Sequence, residues 1–222
     1  MPREEFDKAL DELQETIEKV QKLVETMIID SVKSLENRDM DLSNKVIEMD
    51  DEVDEYRDNL EQKAIFLIAS EQPLATDLRK IITTLRVIME LERMGDYAEG
   101  IAKINLRIGE TELIKPLIDI PSMSKKSIEM MRNCMKAYKN TDVKLAESVC
   151  RVDDEVDVLK DRVINELLQI MMKDPSSSRQ ATYLIFIAHN LERIADRSTN
   201  IAEDTIFLAT GKSRSIDLNY KT

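Results

Sequence analysis

The chain has 222 residues, of which 34% are charged and 42% hydrophobic, and its net charge is −12. This length suits one large domain or two small ones, and the low content of glycine (4) and proline (5) favours helices throughout. The acidic balance argues against nucleic acid and anionic membrane surfaces as direct partners, because both attract basic proteins. It is compatible with cation binding.

The sequence shows no sign of export or membrane insertion. The first ten residues, MPREEFDKAL, lack the apolar segment of a secretory signal, and the runs AIFLIA and TYLIFIA are too short to span a bilayer. Cys134 and Cys150 do not form a CxxC pair, so a thiolate zinc site is not predicted. We therefore expect a cytoplasmic protein with reduced thiols and no direct membrane insertion.

Six helices are predicted in chain order, separated by residues that favour turns. They cover approximately residues 4–35, 40–70, 77–108, 117–139, 143–173 and 179–210. In the first, apolar residues from Phe6 to Met27 recur alternately every three and four positions, which is typical of a bundle seam. Pro121 is expected in the first turn of the fourth helix. Residues 174–178 (DPSSS) are the clearest loop, and residues 212–222 are predicted to be a polar tail.

An internal repeat divides the chain. EMDDEVDEYRDNL (48–60) matches RVDDEVDVLKDRV (151–163), and ELERMGDYAEGIA (90–102) matches NLERIADRSTNIA (190–202). The offsets are 103 and 100 residues, and the difference falls in an interhelix turn, where a change in length is tolerated. We therefore predict an all-α fold of two tandem, repeat-related antiparallel three-helix bundles, residues 1–110 and 111–211.

Carboxylates continue the apolar stripes of the predicted helices. At about 100° per residue, Asp96 lies about 40° from Glu92, on the apolar side of the third helix. On the second helix, Asp50 and Asp54 share a face with apolar residues. Because an antiparallel hairpin brings residues equally far from its turn to the same level, Asp54 and Glu92 are predicted to face each other.

The repeat predicts this arrangement twice. The first acidic cluster comprises Asp50, Asp54, Glu92 and Asp96, and the second acidic cluster comprises Asp153, Asp157, Glu192 and Asp196. Such crowding is destabilising unless protons, arginines or metal cations compensate it. Carboxylate sites suit hard cations, iron or manganese, and bridging carboxylates hold more than one ion. We predict metal binding at both clusters, against the alternative of solvated faces that Arg93 and Arg193 neutralise locally. Further candidate ligands, or hydrogen-bond partners of ligands, are Glu99, Asn200 and Glu203.

The two LER-containing stretches, ELERMGDYAEGIA and NLERIADRSTNIAED, resemble the paired signature of the PhoU family of phosphate-transport regulators. EQPLATDLRKI (71–81) resembles the segment that opens the third helix in that family. The resemblance covers approximately residues 5–210. It implies two similar three-helix bundles with multinuclear iron or zinc clusters held by the residues of both acidic clusters. Two departures, Gly100 in the first copy and Ala195 in the second, replace the usual asparagine and glycine.

The resemblance also implies a function. It implies a cytoplasmic negative regulator, not an enzyme, that links a phosphate ABC transporter, through its ATPase subunit, to a membrane sensor histidine kinase. Two alternatives stay open: a carboxylate-bridged di-metal oxidase or ferroxidase, and a metal-free helical adaptor. The oxidase class uses Glu-x-x-His pairs, which neither repeat contains, and His189 precedes its glutamate in one copy only. The sequence leaves open whether the chain forms a homodimer.

Overall fold

The structure is a computed structural model in which residues 3–212 are described. Its six long helices are α1 (Arg3–Asn37), α2 (Met40–Glu71), α3 (Ala75–Ile108), α4 (Asp119–Asn140), α5 (Val143–Lys173) and α6 (Ser178–Thr210). A short 3₁₀ helix, Pro175–Ser177, precedes α6, and no β-strand occurs within residues 3–212. The predicted all-α class is confirmed. Beyond Lys212, the predicted polar tail lies outside the described residues.

Repeat-related aspartates begin the second helix of each unit. The side chain of Asp39 accepts a hydrogen bond from the backbone N–H of Leu42 (2.9 Å), and that of Asp142 accepts one from Leu145 (3.1 Å). Each carboxylate satisfies a backbone donor that the first helical turn leaves free, and its charge is favourable at a helix N-terminus. These caps therefore set the start of α2 and α5 in the two units.

Two predicted helix starts differ from the structure by two residues. Helix α3 begins at Ala75 and not Asp77, and α4 begins at Asp119 and not Leu117. Differences of this size are usual, because helix ends depend on local hydrogen bonding that periodicity does not report. A hydrogen bond to α6 stabilises the connection between α3 and α4: the backbone N–H of Ile114 donates to the side chain of Gln180 (2.5 Å).

The helices pack as two three-helix bundles that meet along α3 and α6. Helices α1, α2 and α3 pack together, as do α4, α5 and α6, and further contacts join α3 to α6 and α1 to α4. This confirms the predicted tandem bundles. Leu91 and Met94 on α3 and Leu191 and Ile194 on α6 are completely buried. The centre of the molecule is therefore an apolar layer to which both repeats contribute equivalent residues.

Contacts between α3 and α6 show that these helices run antiparallel. The side chain of Asn200 donates to Glu90 (3.2 Å), and at the opposite end Asn190 lies against Gly100. Residues 90 and 190 are repeat equivalents, as are 100 and 200, so the two units are related by an approximate twofold axis. The acidic stretches of both repeats consequently lie in the middle of the molecule and not at its ends.

Candidate metal centre

Of the carboxylates predicted to continue the apolar stripe of α3, Glu92 lies at the edge of the buried face and Asp96 is exposed. Ile81 and Ile88 are buried, Leu85 is half-buried and Leu78 is 36% exposed. The stripe proposed from the sequence is therefore the border of the core and not its centre. Glu92 lies on the same border, with its side chain 17% exposed. This position removes it from much of the solvent while leaving its oxygens accessible to a neighbouring helix.

In the first acidic cluster, an arginine joins the carboxylates of α2 and α3. Nη1 of Arg57 lies 2.6 Å from Oε1 of Glu92 and 3.5 Å from Oδ1 of Asp54. The two carboxylates are thus at the same level on adjacent helices, as the hairpin geometry predicted. The guanidinium also contacts the exposed carboxylate of Asp58, through Nη2 at 3.0 Å. Arg57 therefore supplies one positive charge to a group of at least five acidic side chains.

The second acidic cluster repeats this arrangement with a lysine. Nζ of Lys160 lies 2.7 Å from Oδ1 of Asp157 and 2.9 Å from Oε1 of Glu192, joining α5 to α6. Lys160 and Glu192 are 16% and 17% exposed at their side chains. Although burial opposes its charge, the hydrogen bonds to Asp157 and Glu192 raise the pKa of Lys160 above its usual value. The ammonium is therefore charged throughout the physiological range.

The carboxylates of the first cluster retain uncompensated repulsion despite Arg57. Desolvation, together with the charges of Glu99, Asp96 and Asp54, raises the pKa of Asp50 to about 7. Desolvation and the charges of Asp54 and Glu99 likewise raise the pKa of Asp96. A carboxylic acid that is partly protonated near neutral pH marks a place where one more positive charge would be favourable. The first cluster thus has the electrostatic character of a cation site.

The second cluster shows the same tendency in a milder form. Desolvation and the charges of Asp196, Asp157 and Glu192 raise the pKa of Asp153 to about 6. Desolvation followed by the charge of Glu192 raises the pKa of Asp196, while Arg197 and Arg193 oppose that rise. The physical cause is shared by both repeats: carboxylates from two helices meet at the edge of an apolar core.

The donor atoms fit a metal, although the side chains do not converge on one. Within residues 3–212, no group of three or more acidic, histidine or cysteine side chains is gathered around a common metal position. The donors are carboxylate oxygens, which suit hard cations and iron more than they suit soft metals. The crowding that raises the pKa of Asp50 and Asp153 is what a cation would relieve. Convergence on a metal would require the carboxylates to exchange their contacts with Arg57 and Lys160.

The three additional candidates occupy different places. Glu99 lies on the first cluster's side of α3, and its carboxylate pairs with Lys103 (2.5 Å). Asn200 faces the other unit, where it donates to Glu90, so in this structure it belongs to the contact between α3 and α6. Glu203 is exposed, two turns beyond Asp196 on α6. His189 is also exposed. Of the three, Glu99 is therefore the nearest to an acidic cluster through its effect on Asp50.

Arg57 and Lys160 are the site residues that sequence reasoning missed. The sequence suggested Arg93 and Arg193 as local partners, but both are exposed, and Nε of Arg193 is 3.9 Å from Glu192. The internal repeat contains a signal that could have identified them, because Arg57 and Lys160 occupy equivalent positions, three residues after Asp54 and Asp157. A basic residue kept at one position in both copies of an otherwise acidic segment indicates a shared role.

Gly95 lies close to a carboxylate of the first cluster. A β-carbon at Gly95 would lie 3.1 Å from Oδ1 of Asp50, whereas the equivalent position in the second unit is the buried Ala195. We expect Gly95→Ala to stabilise the metal-free protein by about 0.5–1 kcal/mol, because alanine is the better helix former and the carboxylate can move aside. Urea unfolding in EDTA measures this change. A loss of stability would show that Asp50 is held rigidly against α3.

The chain matches a family model in two segments and is similar to curated relatives over most of its length. The model of the PhoU domain matches residues 17–104 and 120–205. A Clostridium acetobutylicum protein named phosphate-specific transport system accessory protein PhoU homolog is 39% identical, over 99% of this chain and 100% of its own. A Thermotoga maritima protein named as a second homolog of that accessory protein is 31% identical, over 94% of this chain and 88% of its own.

Solved structures show the same architecture. The crystal structure of PhoU from Pseudomonas aeruginosa is similar with a TM-score of 0.89 at 30% identity, and covers 93% of this chain and 100% of that one. The phosphate transport system regulatory protein PhoU from Streptococcus pneumoniae gives a TM-score of 0.86 at 28% identity, over 94% of this chain and 98% of its own. In this chain, residues 3–212 contain no helix with the length and apolar content needed to cross a bilayer. The family match spans both three-helix units, and the chain belongs to the PhoU family.

Proposed function

We propose that this protein is a cytoplasmic accessory protein of a phosphate transport system that represses phosphate uptake and phosphate-starvation genes when phosphate is plentiful. The names of its relatives support the transport role, because they describe accessory and regulatory proteins of phosphate transport. Its partners would be the ATPase subunit of the transporter and a sensor histidine kinase.

One observation carries the metal-binding part of the proposal. Both repeats place carboxylates from two helices at equivalent positions on the edge of the core, where the pKa of Asp50 is raised to about 7 and that of Asp153 to about 6 by desolvation and neighbouring carboxylates. Multinuclear iron or zinc would be held by the four residues of each acidic cluster. A bound metal would supply positive charge there and cross-link α2 to α3 and α5 to α6.

Exposed apolar side chains support a role in protein binding. Ile65 and Phe66, near the end of α2, are 55% and 63% exposed, and Leu74, in the turn that follows, is 83% exposed. Large apolar residues that stay in contact with water near one turn are typical of surfaces that bind another protein. The proposed regulator needs such a surface, because its effect would pass through contact with the transporter and the kinase.

The metal-free adaptor is the second candidate, and a specific observation favours it. Arg57 and Lys160 already pair with Glu92 and Glu192, so each acidic cluster has an internal cation. In that case the clusters would be structural, and regulation would not depend on metal. The two candidates share the regulatory role and differ in whether the carboxylates are needed for more than stability.

Deleting the gene in its native host tests the regulatory role. We expect phosphatase expression and phosphate uptake to rise at high phosphate, because the repressing contact with the transporter and kinase is lost. Complementation with the wild-type chain should restore repression. Complementation with a folded variant that carries Glu92→Gln, Asp96→Asn, Glu192→Gln and Asp196→Asn, and so alters both clusters, separates the two candidates, since only the metal-dependent regulator is expected to fail. Unchanged phosphatase expression in the deletion strain would contradict the regulatory role.

A further inference from the structure

The most informative unexplained feature is a basic side chain placed in the same position of both acidic clusters. Arg57 and Lys160 are repeat equivalents on α2 and α5. Each contacts an aspartate of its own helix and a glutamate of the neighbouring helix: Arg57 contacts Asp54 and Glu92, and Lys160 contacts Asp157 and Glu192. Two different basic residues therefore hold the same place between the carboxylates of both repeats.

These contacts are made with oxygens that a metal would need. Oε1 of Glu92 and Oε1 of Glu192 each accept from the basic nitrogen, at 2.6 and 2.9 Å. A metal binds carboxylate oxygens at about 2.0–2.6 Å, so it would compete for the same lone pairs. A metal and a charged side chain within a few ångströms would also repel each other. Simultaneous occupation by both cations is therefore unfavourable.

We propose that Arg57 and Lys160 are tethered counterions that occupy the two acidic clusters in the metal-free protein and must leave their glutamates before metal binds. This proposal rests on the metal binding proposed above and adds the element that regulates it. The tethered cation stabilises each cluster in the absence of metal. Metal binds only at concentrations high enough to displace this cation from its glutamate. Loading then releases a positive charge toward the protein surface, so the metal state changes the charge that a partner meets.

Arg57 has an alternative ion-pair partner outside the first acidic cluster. Its side chain is 28% exposed, and Nε and Nη2 already lie 3.1 and 3.0 Å from Oδ1 of the exposed Asp58. Turning away from Glu92 therefore keeps one ion pair intact. Lys160 is 16% exposed, and it donates hydrogen bonds to Asp157 and Glu192, both in the second cluster. Since its displacement sacrifices both contacts, we expect the second cluster to load less readily than the first.

Titration of the purified full-length chain with Mn²⁺ tests the proposal. After EDTA treatment, Arg57→Met and Lys160→Met are each expected to bind Mn²⁺ about tenfold more tightly at one site, equivalent to about 1.4 kcal/mol. Electron paramagnetic resonance counts free and bound Mn²⁺, and the titration is repeated with Fe²⁺ without oxygen. Arg93→Met and Lys144→Met remove the same charges from exposed positions on α3 and α5, and they should leave the affinities unchanged. Arg57→Gln provides a second variant if Arg57→Met folds poorly.

The outcomes separate this inference from the metal-binding proposal. If the wild-type chain binds metal and the variants bind it no more tightly, the tethered-counterion inference is overturned and the metal centre stands. If neither metal binds any of the proteins, both are overturned. Thermal unfolding adds a check: in EDTA, Arg57→Met should unfold at a lower temperature than wild type, and metal should restore more stability to the variant. A purely structural salt bridge would lower stability without raising the metal affinity.

Discussion

Replacing Asp50 and Asp96 by asparagine is expected to stabilise the metal-free protein and, at the same time, to abolish metal binding at the first acidic cluster. Both carboxyl groups have a raised pKa, due first to desolvation and then to neighbouring carboxylates, so their ionised forms oppose folding near neutral pH. Neutralising them should add about 1–2 kcal/mol to the free energy of unfolding, after allowance for solvent screening. Metal content should fall to that of the second cluster alone.

The opposite signs of these two effects make the experiment decisive. Urea unfolding in EDTA gives the stability change, and elemental analysis of the metal-loaded protein gives the stoichiometry. Asp51→Asn with Glu55→Gln is the control, because it removes two charges from exposed positions on α2, the helix that carries Asp50. A variant that is less stable and retains all its metal would show that Asp50 and Asp96 are structural carboxylates and not ligands.

The metal-free protein is expected to lose stability as the pH rises from about 4 to about 7. Folding raises the pKa of Asp50 to about 7 and that of Asp153 to about 6, in each case mainly through desolvation and then through adjacent carboxylates. A group whose pKa is raised on folding binds more protons in the native state, so its contribution is complete below its unfolded pKa and disappears above its folded pKa. The groups that oppose ionisation of Asp50 come from both helices of the hairpin: Asp54 on α2, and Asp96 and Glu99 on α3.

Calorimetry in EDTA between about pH 5 and about pH 8 measures this dependence. We expect the midpoint of thermal unfolding to fall across this interval by several degrees, since about 1 kcal/mol corresponds to about 2–4 °C in a chain of this size. Asp50→Asn should flatten the profile, and saturating metal should do the same in the wild-type chain by replacing the bound protons. A midpoint that rises with pH would contradict the assignment of Asp50 as a destabilised carboxylate.

The arrangement of the acidic clusters was predictable because two periodicities fix it. Helical spacing places Asp50 with Asp54 and Glu92 with Asp96 on single faces, and the hairpin length brings Asp54 level with Glu92. In the structure the guanidinium of Arg57 contacts both Asp54 and Glu92, so these two carboxylates lie at the same level. The identity of the bound cation was not predictable in this way. An arginine, a lysine and a metal ion all satisfy the same excess of carboxylates, and periodicity does not distinguish them.

The contacts between the two units were also beyond the reach of the sequence. Asn200 was a candidate for the second cluster because its angle on α6 is close to that of Asp196, yet its amide donates to Glu90 on α3. The angle around one helix indicates a direction but not which neighbour lies there. Likewise, Gly95 and Ala195 are both small residues in the sequence, and only the structure shows Oδ1 of Asp50 close to the former.

The sequence by itself determined the all-α fold, the tandem repeat and the membership of each carboxylate in one of two equivalent clusters. These properties follow from local periodicity, from turn residues and from self-similarity, all of which can be read from the order of residues in the sequence. The tertiary structure decided that α3 and α6 pack antiparallel, that the clusters lie at the border of the core, and that Arg57 and Lys160 enter them. Those features depend on side-chain contacts between helices, where burial and charge act between residues that are distant in sequence.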